Sequence, residues 1–273
     1  MCVNKAVLSV ERELERQTVL ITRAVQPTGD RLARLLTGAG AKCIQGPVIA
    51  ISPPESWDSL DQALDRIENY RSCVFLSQHG VQAFCRRVEK LGKSDLIDPV
   101  KTRLSFFCVG EGTQSEWMRL SGCSSTVPNE SNSRAMATLL TEQQQESPFL
   151  VVRGNRGSQV LEENLVAAGI RFKQVVSYHS VDVEEADPQL VMQMKDGHFN
   201  WVTVTSSAIA NSLIRLYGSS LKKTRLASIS PITSAVLLES GFQPAVEAKE
   251  YNFAGLVNAM SQHASSESKG DLQ

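Results

Sequence analysis

Short apolar runs alternate with amphipathic stretches along the chain, and most of the runs end in a small hydroxyl residue or a glycine. Val19–Thr22 is the first, an unbroken β-rich run of the kind that forms a buried parallel strand. Asp30 to Leu36 then reads as a helix, with Leu32, Leu35 and Leu36 on one face and Gly38 or Gly40 as its stop. Residues 41–51 are predicted extended, ending before Pro53-Pro54. Ser59 to Asn69 is predicted helical from Leu60, Ala63, Leu64 and Ile67. Strand Cys73–Leu76, helix Val81–Leu91, strand Leu104–Val109, helix Thr113–Leu120 (ended by Gly122) and helix Ser133–Thr141 follow, then a polar break over 143–148. A second set comprises strands 149–152, 171–183, 201–204 and 225–229 and helices 158–168, 188–195, 207–217, 232–240 and 253–262. Ala264–Gln273 is polar and Ser-rich and is expected to fray. Strand–helix alternation of this kind makes parallel sheets covered by helices.

Three patterns occur twice in the same order, about 130 residues apart. Val19-Leu-Ile-Thr-Arg-Ala24 is echoed by Leu150-Val-Val-Arg-Gly154. Cys73-Val-Phe-Leu-Ser77 is echoed by Trp201-Val-Thr-Val-Thr205 with Ser206 and Ser207. Phe107-Cys-Val-Gly110 with Thr113 is echoed by Ser228-Ile-Ser230 with Thr233. The period is far too long for a solenoid. It predicts two similar parallel-sheet α/β lobes with a cleft between them, a favoured place for a ligand. The strand-like segments 47–53 and 175–184 suit a two-stranded β connection between the lobes. The expected division is a discontinuous first lobe, 1–47 with 184–273, and an inserted second lobe, 48–183.

Composition narrows the partners. A formal net charge of −1 over 273 residues argues against nucleic-acid or membrane binding through a basic surface. There is no apolar run of 18 residues, and Met1–Gln17 lacks a signal-peptide core, so a cytoplasmic protein is expected. Six cysteines, at 2, 43, 73, 85, 108 and 123, form no C-x-x-C pair and read as buried free thiols.

Candidate chemistry lies just past the strands and just before the helices, where parallel sheets bind ligands and helix N-termini offer N–H groups to anions. Ser77, Gln78, Gly110, Thr113, Thr205, Ser206, Ser207, Ser230 and Thr233 fall there, with Arg23 and Arg153 as supplementary cations. Each Ser or Thr alone is more often just an ordinary N-cap, as in most helices; recurrence in register in both halves favours a shared role. Gly154-Asn-Arg-Gly157 is only superficially a phosphate loop, and no P-loop or dinucleotide fingerprint is present. His79 and His179 have no second ligand at metal spacing. No G-x-S-x-G elbow exists. Tyr178 closes an apolar run between Ser177 and His179, and packing and function are both open to it.

Together these residues resemble the uroporphyrinogen-III synthase family over residues 18–262. The resemblance rests on Ile21-Thr-Arg23, Gly40 through Pro47, Phe75-Leu-Ser77 with Val81, Val109-Gly110 with Thr113, Arg153, Gly169 with Tyr178, Val202–Ser207, and Ser228-Ile-Ser-Pro-Ile-Thr233. It implies cyclisation of the linear tetrapyrrole hydroxymethylbilane with inversion of ring D and loss of water. It implies no metal or organic cofactor, and the match to the family's tyrosine makes Tyr178 the expected catalytic hydrogen-bond donor; a monomer is expected. The other residues named above would bind the substrate's eight carboxylates. A cytoplasmic two-lobed regulator that binds a small molecule without catalysis is the alternative; it lacks a helix-turn-helix region with a basic face.

Overall fold

The computed structural model describes residues 12–25, 29–98, 104–142 and 148–270, with side chains to residue 267. In chain order the elements are β1 (Thr18–Ile21), α1 (Arg31–Gly38), β2 (Lys42–Gln45), β3 (Ile49–Ser52), α2 (Asp58–Asp65), β4 (Ser72–Phe75), α3 (Gln78–Lys90), β5 (Ser105–Cys108), α4 (Glu111–Ser121) and α5 (Ser133–Glu142). There follow β6 (Phe149–Gly154), α6 (Val160–Ala167), β7 (Phe172–Asp182), α7 (Pro188–Lys195), β8 (Trp201–Val204), α8 (Ser207–Tyr217), β9 (Arg225–Ser228), α9 (Pro231–Glu239), β10 (Val246–Glu247) and α10 (Phe253–Gly270). The chain is mixed α/β and divides into two compact units. One takes the described residues up to Ala50 and from Asp182 on; the other is Ile51–Val181.

Each unit is built on one five-stranded sheet. The first has the order β10-β9-β8-β1-β2, the second β3-β7-β6-β4-β5. The described registers are parallel. β4, β6 and β8 are buried along their whole length, as expected for strands covered on both faces. The sequence duplication reappears as topology. The run β9-β8-β1 in the first sheet matches β5-β4-β6 in the second, strand for strand with the echoed patterns, and β2 and β7 take the next place in each.

Local chemistry sets the boundaries. Asp30 accepts the Leu32 N–H at 2.8 Å and starts α1; Asp187 accepts from Gln189 at 2.8 Å ahead of Pro188 and starts α7. Gly122 ends α4 at φ 71°, a left-handed cap that glycine adopts without a Cβ clash. In the second core Phe75 meets Phe84 edge-on at 5.2 Å and Trp117 at 5.0 Å. Aromatic pairs of this kind add about 0.5–1.5 kcal/mol each beyond their burial.

Three expectations are corrected. The extended stretch 41–51 is two strands, broken at Gly46-Pro47. A Cβ on Gly46 would stand 2.7 Å from Leu20 Cδ1 and 2.9 Å from Leu190 Cδ1, so the chain passes tightly here and β2 and β3 enter different sheets. The helix expected to reach Asn69 ends at Asp65, where Arg66 departs from helical geometry at φ −125° and a 3-10 turn covers Ile67–Asn69. The segment from Ala264, expected to fray, continues α10 to Gly270. Ala264 is buried, and Glu267 pairs with Arg225, which itself lies over the Trp201 ring at 4.7 Å. β10 was not foreseen; it is two residues long, too short to carry a period. Cys2, most of Met1–Gln17 and residues 143–147 of the polar break lie outside the described residues.

Candidate functional site

In the second unit, β4 and β5 are neighbours and each feeds a helix. Ser77 caps α3 in extended geometry (φ −166°, ψ 159°), its Oγ accepting the Gly80 N–H at 3.0 Å. Gly110 caps α4 in the same geometry (φ −177°, ψ 172°) with no side chain to offer. Gln78 lies over the start of α4: its Nε2 would be 2.7 Å from a Cβ on Gly112. Ser77, Gln78, Gly110 and Thr113 are thereby brought to one pair of adjacent helix N-termini, with Thr113 buried. Ser131 closes on Gly110; a Cβ there would stand 2.7 Å from the Ser131 Cβ and clash with its Oγ, so a larger residue would have to push Ser131 aside.

Tyr178 comes to this group across the sheet. β6 and β7 pair in register up to Arg153↔Val176, then shift so that Gly154 faces Tyr178. The phenol lies against Gly154, where a Cβ would be 2.5 Å from Cζ. Ser77 Oγ donates to the Tyr178 hydroxyl at 3.0 Å. Since that oxygen accepts from Ser77, its own proton is left to donate elsewhere. Burial pushes the phenol's pKa above its usual value of 10, opposed by the Ser77 bond and the Arg153 charge, so Tyr178 is protonated at neutral pH. The His79 ring is 5.5 Å away.

The two arginines differ. Arg153 is 7% exposed and bonds neutral groups: the carbonyls of Gly154 (3.2 Å) and Ser158 (3.3 Å) and the Gln174 side-chain oxygen (3.5 Å). Among the described residues no carboxylate answers its charge. Arg23 pairs with Asp30 at 3.0 Å and lies over the Phe253 ring at 4.7 Å. Its charge is already answered, which makes it the weaker candidate for an added anion.

The first unit repeats the capped geometry. Ser206 (φ −170°, ψ 162°) accepts the Ile209 N–H at 3.2 Å, and Ser230 (φ −163°, ψ 161°) accepts from Thr233 at 3.4 Å. Ser77 and Ser206, and Gly110 and Ser230, thus hold equivalent positions at equivalent strand ends. Thr233 is buried, its hydroxyl 3.1 Å from Ser230 Oγ. The Thr205 and Ser207 hydroxyls are half-buried and make no hydrogen bond among the described residues. The N–H groups of Ser207 and Ala208, in the first turn of α8, have no intrahelical acceptor. Strand ends of this kind accept anions through backbone dipoles, with no need for a basic patch.

Two contributors escaped sequence reading. Gly154 sits in the sequence at the head of a loop that only superficially resembles a phosphate loop, although a glycine closing an apolar run signals close backbone approach. Ser131 lies in a polar stretch with no pattern to mark it. Among the described residues no His, Cys, Asp and Glu cluster could hold a metal ion. Burial pushes the Cys85 thiol up to about 12 and Cys108 to about 11, which suits inert core thiols. No helix among the described residues is long and apolar enough to cross a membrane.

Fold and site together define a duplicated parallel-sheet α/β protein whose strand ends carry hydroxyl- and glycine-capped helix N-termini suited to anions. The model of the family described as uroporphyrinogen-III synthase HemD matches residues 30–258. A uroporphyrinogen-III synthase from Synechococcus elongatus is 26% identical over 263 residues, 93% of this chain and 98% of that protein. Another from Proteus mirabilis is 21% identical over 68% of this chain and 91% of its own. Among solved structures, uroporphyrinogen-III synthetase from Helicobacter pylori matches with TM-score 0.60 at 15% identity, over 90% of this chain and 99% of that one. A mutant uroporphyrinogen III synthase from Thermus thermophilus matches with TM-score 0.59 at 13% identity, over 92% and 99%. The chain belongs to the uroporphyrinogen-III synthase family, cofactor-independent cyclising lyases of tetrapyrrole biosynthesis.

Proposed function

We propose that this chain converts hydroxymethylbilane to uroporphyrinogen III, with Tyr178 as the proton donor to the departing hydroxyl. The observation that carries the assignment of Tyr178 is its hydroxyl at 3.0 Å from Ser77 Oγ, oriented as an acceptor there and protonated at neutral pH. In this reading the two units act as two lobes on one substrate, residues 1–47 with 184–273 and residues 48–183. The neighbouring places of β3 and β7 in one sheet support their role as the two-stranded connection. The eight carboxylates are shared among Ser77, Gln78, Gly110, Thr113 and Arg153 of one unit and Thr205, Ser206, Ser207, Ser230 and Thr233 of the other, with Arg23 a lesser contributor. The near-neutral charge supports a protein without nucleic-acid partners, and the same reading takes it as a cytoplasmic monomer. The relatives do not favour the non-catalytic regulator.

The pyrrole nitrogen's electron pair expels the hydroxyl, which takes the Tyr178 proton and leaves as water. The resulting azafulvene is attacked by the substituted carbon of ring D, and a spiro intermediate reopens and recloses with ring D inverted. The proton lost from the attacking carbon as ring D regains its pyrrole aromaticity restores the phenol. The protein's main work is holding the ends of the substrate together in a geometry that free solution does not favour.

Incubation with hydroxymethylbilane and separation of the isomer I and III products tests the activity; isomer I alone would overturn it. Tyr178→Phe keeps the packing and removes the donor. General-acid help contributes about 10²–10⁴-fold when fully developed. Because the azafulvene forms unaided, a loss near the low end is expected, with an unchanged melting temperature. The ratio of wild-type to Tyr178→Phe rates should stay flat from neutral pH to beyond 9, because the raised phenol pKa keeps the proton in place. An unchanged rate would assign Tyr178 to packing. Thr205→Ala is expected to weaken activity only several-fold, because backbone N–H groups do much of the binding at that helix terminus. A hundredfold loss would show instead that the hydroxyl is the main contact.

A further inference from the structure

Beside Tyr178 the second unit holds a pocket of about 330 Å³, bounded on one side by Ser177 and Tyr178 of β7 and on the other by α3. His79, Gln82, Arg86 and Lys90 reach it at three- and four-residue spacing, one continuous helix face. The lining contains three formal cations, Arg86, Arg87 and Lys90, and no acidic residue. The chain as a whole carries −1, so this is a local concentration of positive charge and not general basicity. Arg87 is committed elsewhere: Nε bonds Asp61 at 2.7 Å, Nη2 bonds the other carboxylate oxygen, and the guanidinium lies over Trp57 at 5.0 Å. Arg86 and Lys90 are exposed and form no hydrogen bond or ion pair among the described residues; Lys90 acts on Asp61 only at longer range. Two exposed lysines or arginines on a helix are ordinarily just solvated. Here they share an acid-free pocket with the proposed proton donor.

We propose that this pocket is the carboxylate-accepting subsite for the pyrrole ring that loses its hydroxyl at Tyr178, with Arg86 and Lys90 gripping that ring's acidic arms. This rests on the function proposed above. Arg86 can meet a carboxylate with two parallel N–H bonds, and Lys90 supplies a mobile point charge one turn further along α3. Both contacts act on arms that do not react, so they bind substrate and transition state alike and govern KM more than kcat.

The test compares three proteins on hydroxymethylbilane: wild type, Arg86→Gln/Lys90→Gln, and a control, Arg171→Gln/Lys173→Gln, that removes the same charge at the amino end of β7. If the wild type makes no isomer III, the proposed function fails and the subsite with it. If it does, the first double variant is expected to raise KM about 10- to 30-fold with kcat within twofold and melting unchanged, and to flatten the dependence of KM on salt. The control should stay within twofold of wild type. An unchanged KM in the first variant, a fall confined to kcat, or an equal KM rise in the control would each overturn the subsite while leaving the function standing.

Discussion

Alanine at position 154 is expected to remove most of the isomer-III-forming activity, by about a hundredfold or more, from a protein that still folds. A Cβ there would stand 2.5 Å from Tyr178 Cζ, 2.7 Å from Cε2 and 2.8 Å from the hydroxyl oxygen. All three belong to one rigid ring, so the phenol must swing as a body. Displacement by about 1 Å of a group that has to meet the reacting atoms costs on the order of 10²-fold. Gly154 is not at positive φ, so alanine adds no backbone strain, and in a strand it limits the unfolded chain's freedom. The damage should therefore appear in turnover more than in melting. Pairing the change with Tyr178→Phe supplies the decisive comparison. Both act through one ring, so the double variant should be little worse than Gly154→Ala alone. Multiplicative losses, or a melting transition that collapses in parallel, would remove the ring-displacement account.

Ser206→Pro should be comparably severe for a different reason. Ser206 sits at φ −170° and proline is locked near −65°, so the strand end must turn away from its present path. The substitution also removes the Oγ that accepts the Ile209 N–H at 3.2 Å. Losing that cap alone costs about 1 kcal/mol, which Ser206→Ala isolates. Expected is a small stability loss and near-normal turnover for alanine, against a drop of at least about a hundredfold for proline, because the first turn of α8 no longer aims its N–H groups at an anion. Steady-state assays of both variants beside their thermal melts decide it. Normal turnover by Ser206→Pro would refute the helix-terminus account.

The architecture was legible because its signals are local and repeated. Ser77 and Ser206 cap equivalent helices after equivalent apolar runs, and the boundaries of α7, β8 and α8 follow directly from Pro188, Trp201–Val204 and Ser206. What stayed hidden depends on contacts distant in sequence. Gly46 divides one extended run between two sheets because Leu20 and Leu190 crowd it, and neither is near it in the chain. The Gly154–Tyr178 contact needs a register shift that no periodicity announces. Even a near contact can hide: Asp30, only seven residues on, answers the Arg23 charge, and no spacing rule announces the pair. The far end of α10 is polar in sequence, and its docking depends on Ala264 and on Arg225, some forty residues away.

The pairing of β1 with β8 has a temporal cost. Val19 and Trp201 are register partners, so during synthesis β1 waits for about 180 further residues before that side of it can be covered. At about 5–20 residues per second this is an interval of about 10–40 s. Over much of it the nascent chain carries Val19-Leu20-Ile21, all destined for full burial, with one flank open. Ile51–Val181 meets no such delay, since β4 to β7 find their neighbours within it. The insertion can therefore pair its strands while its host is half assembled, and the waiting β1 flank is apolar surface open to a chaperone in that interval.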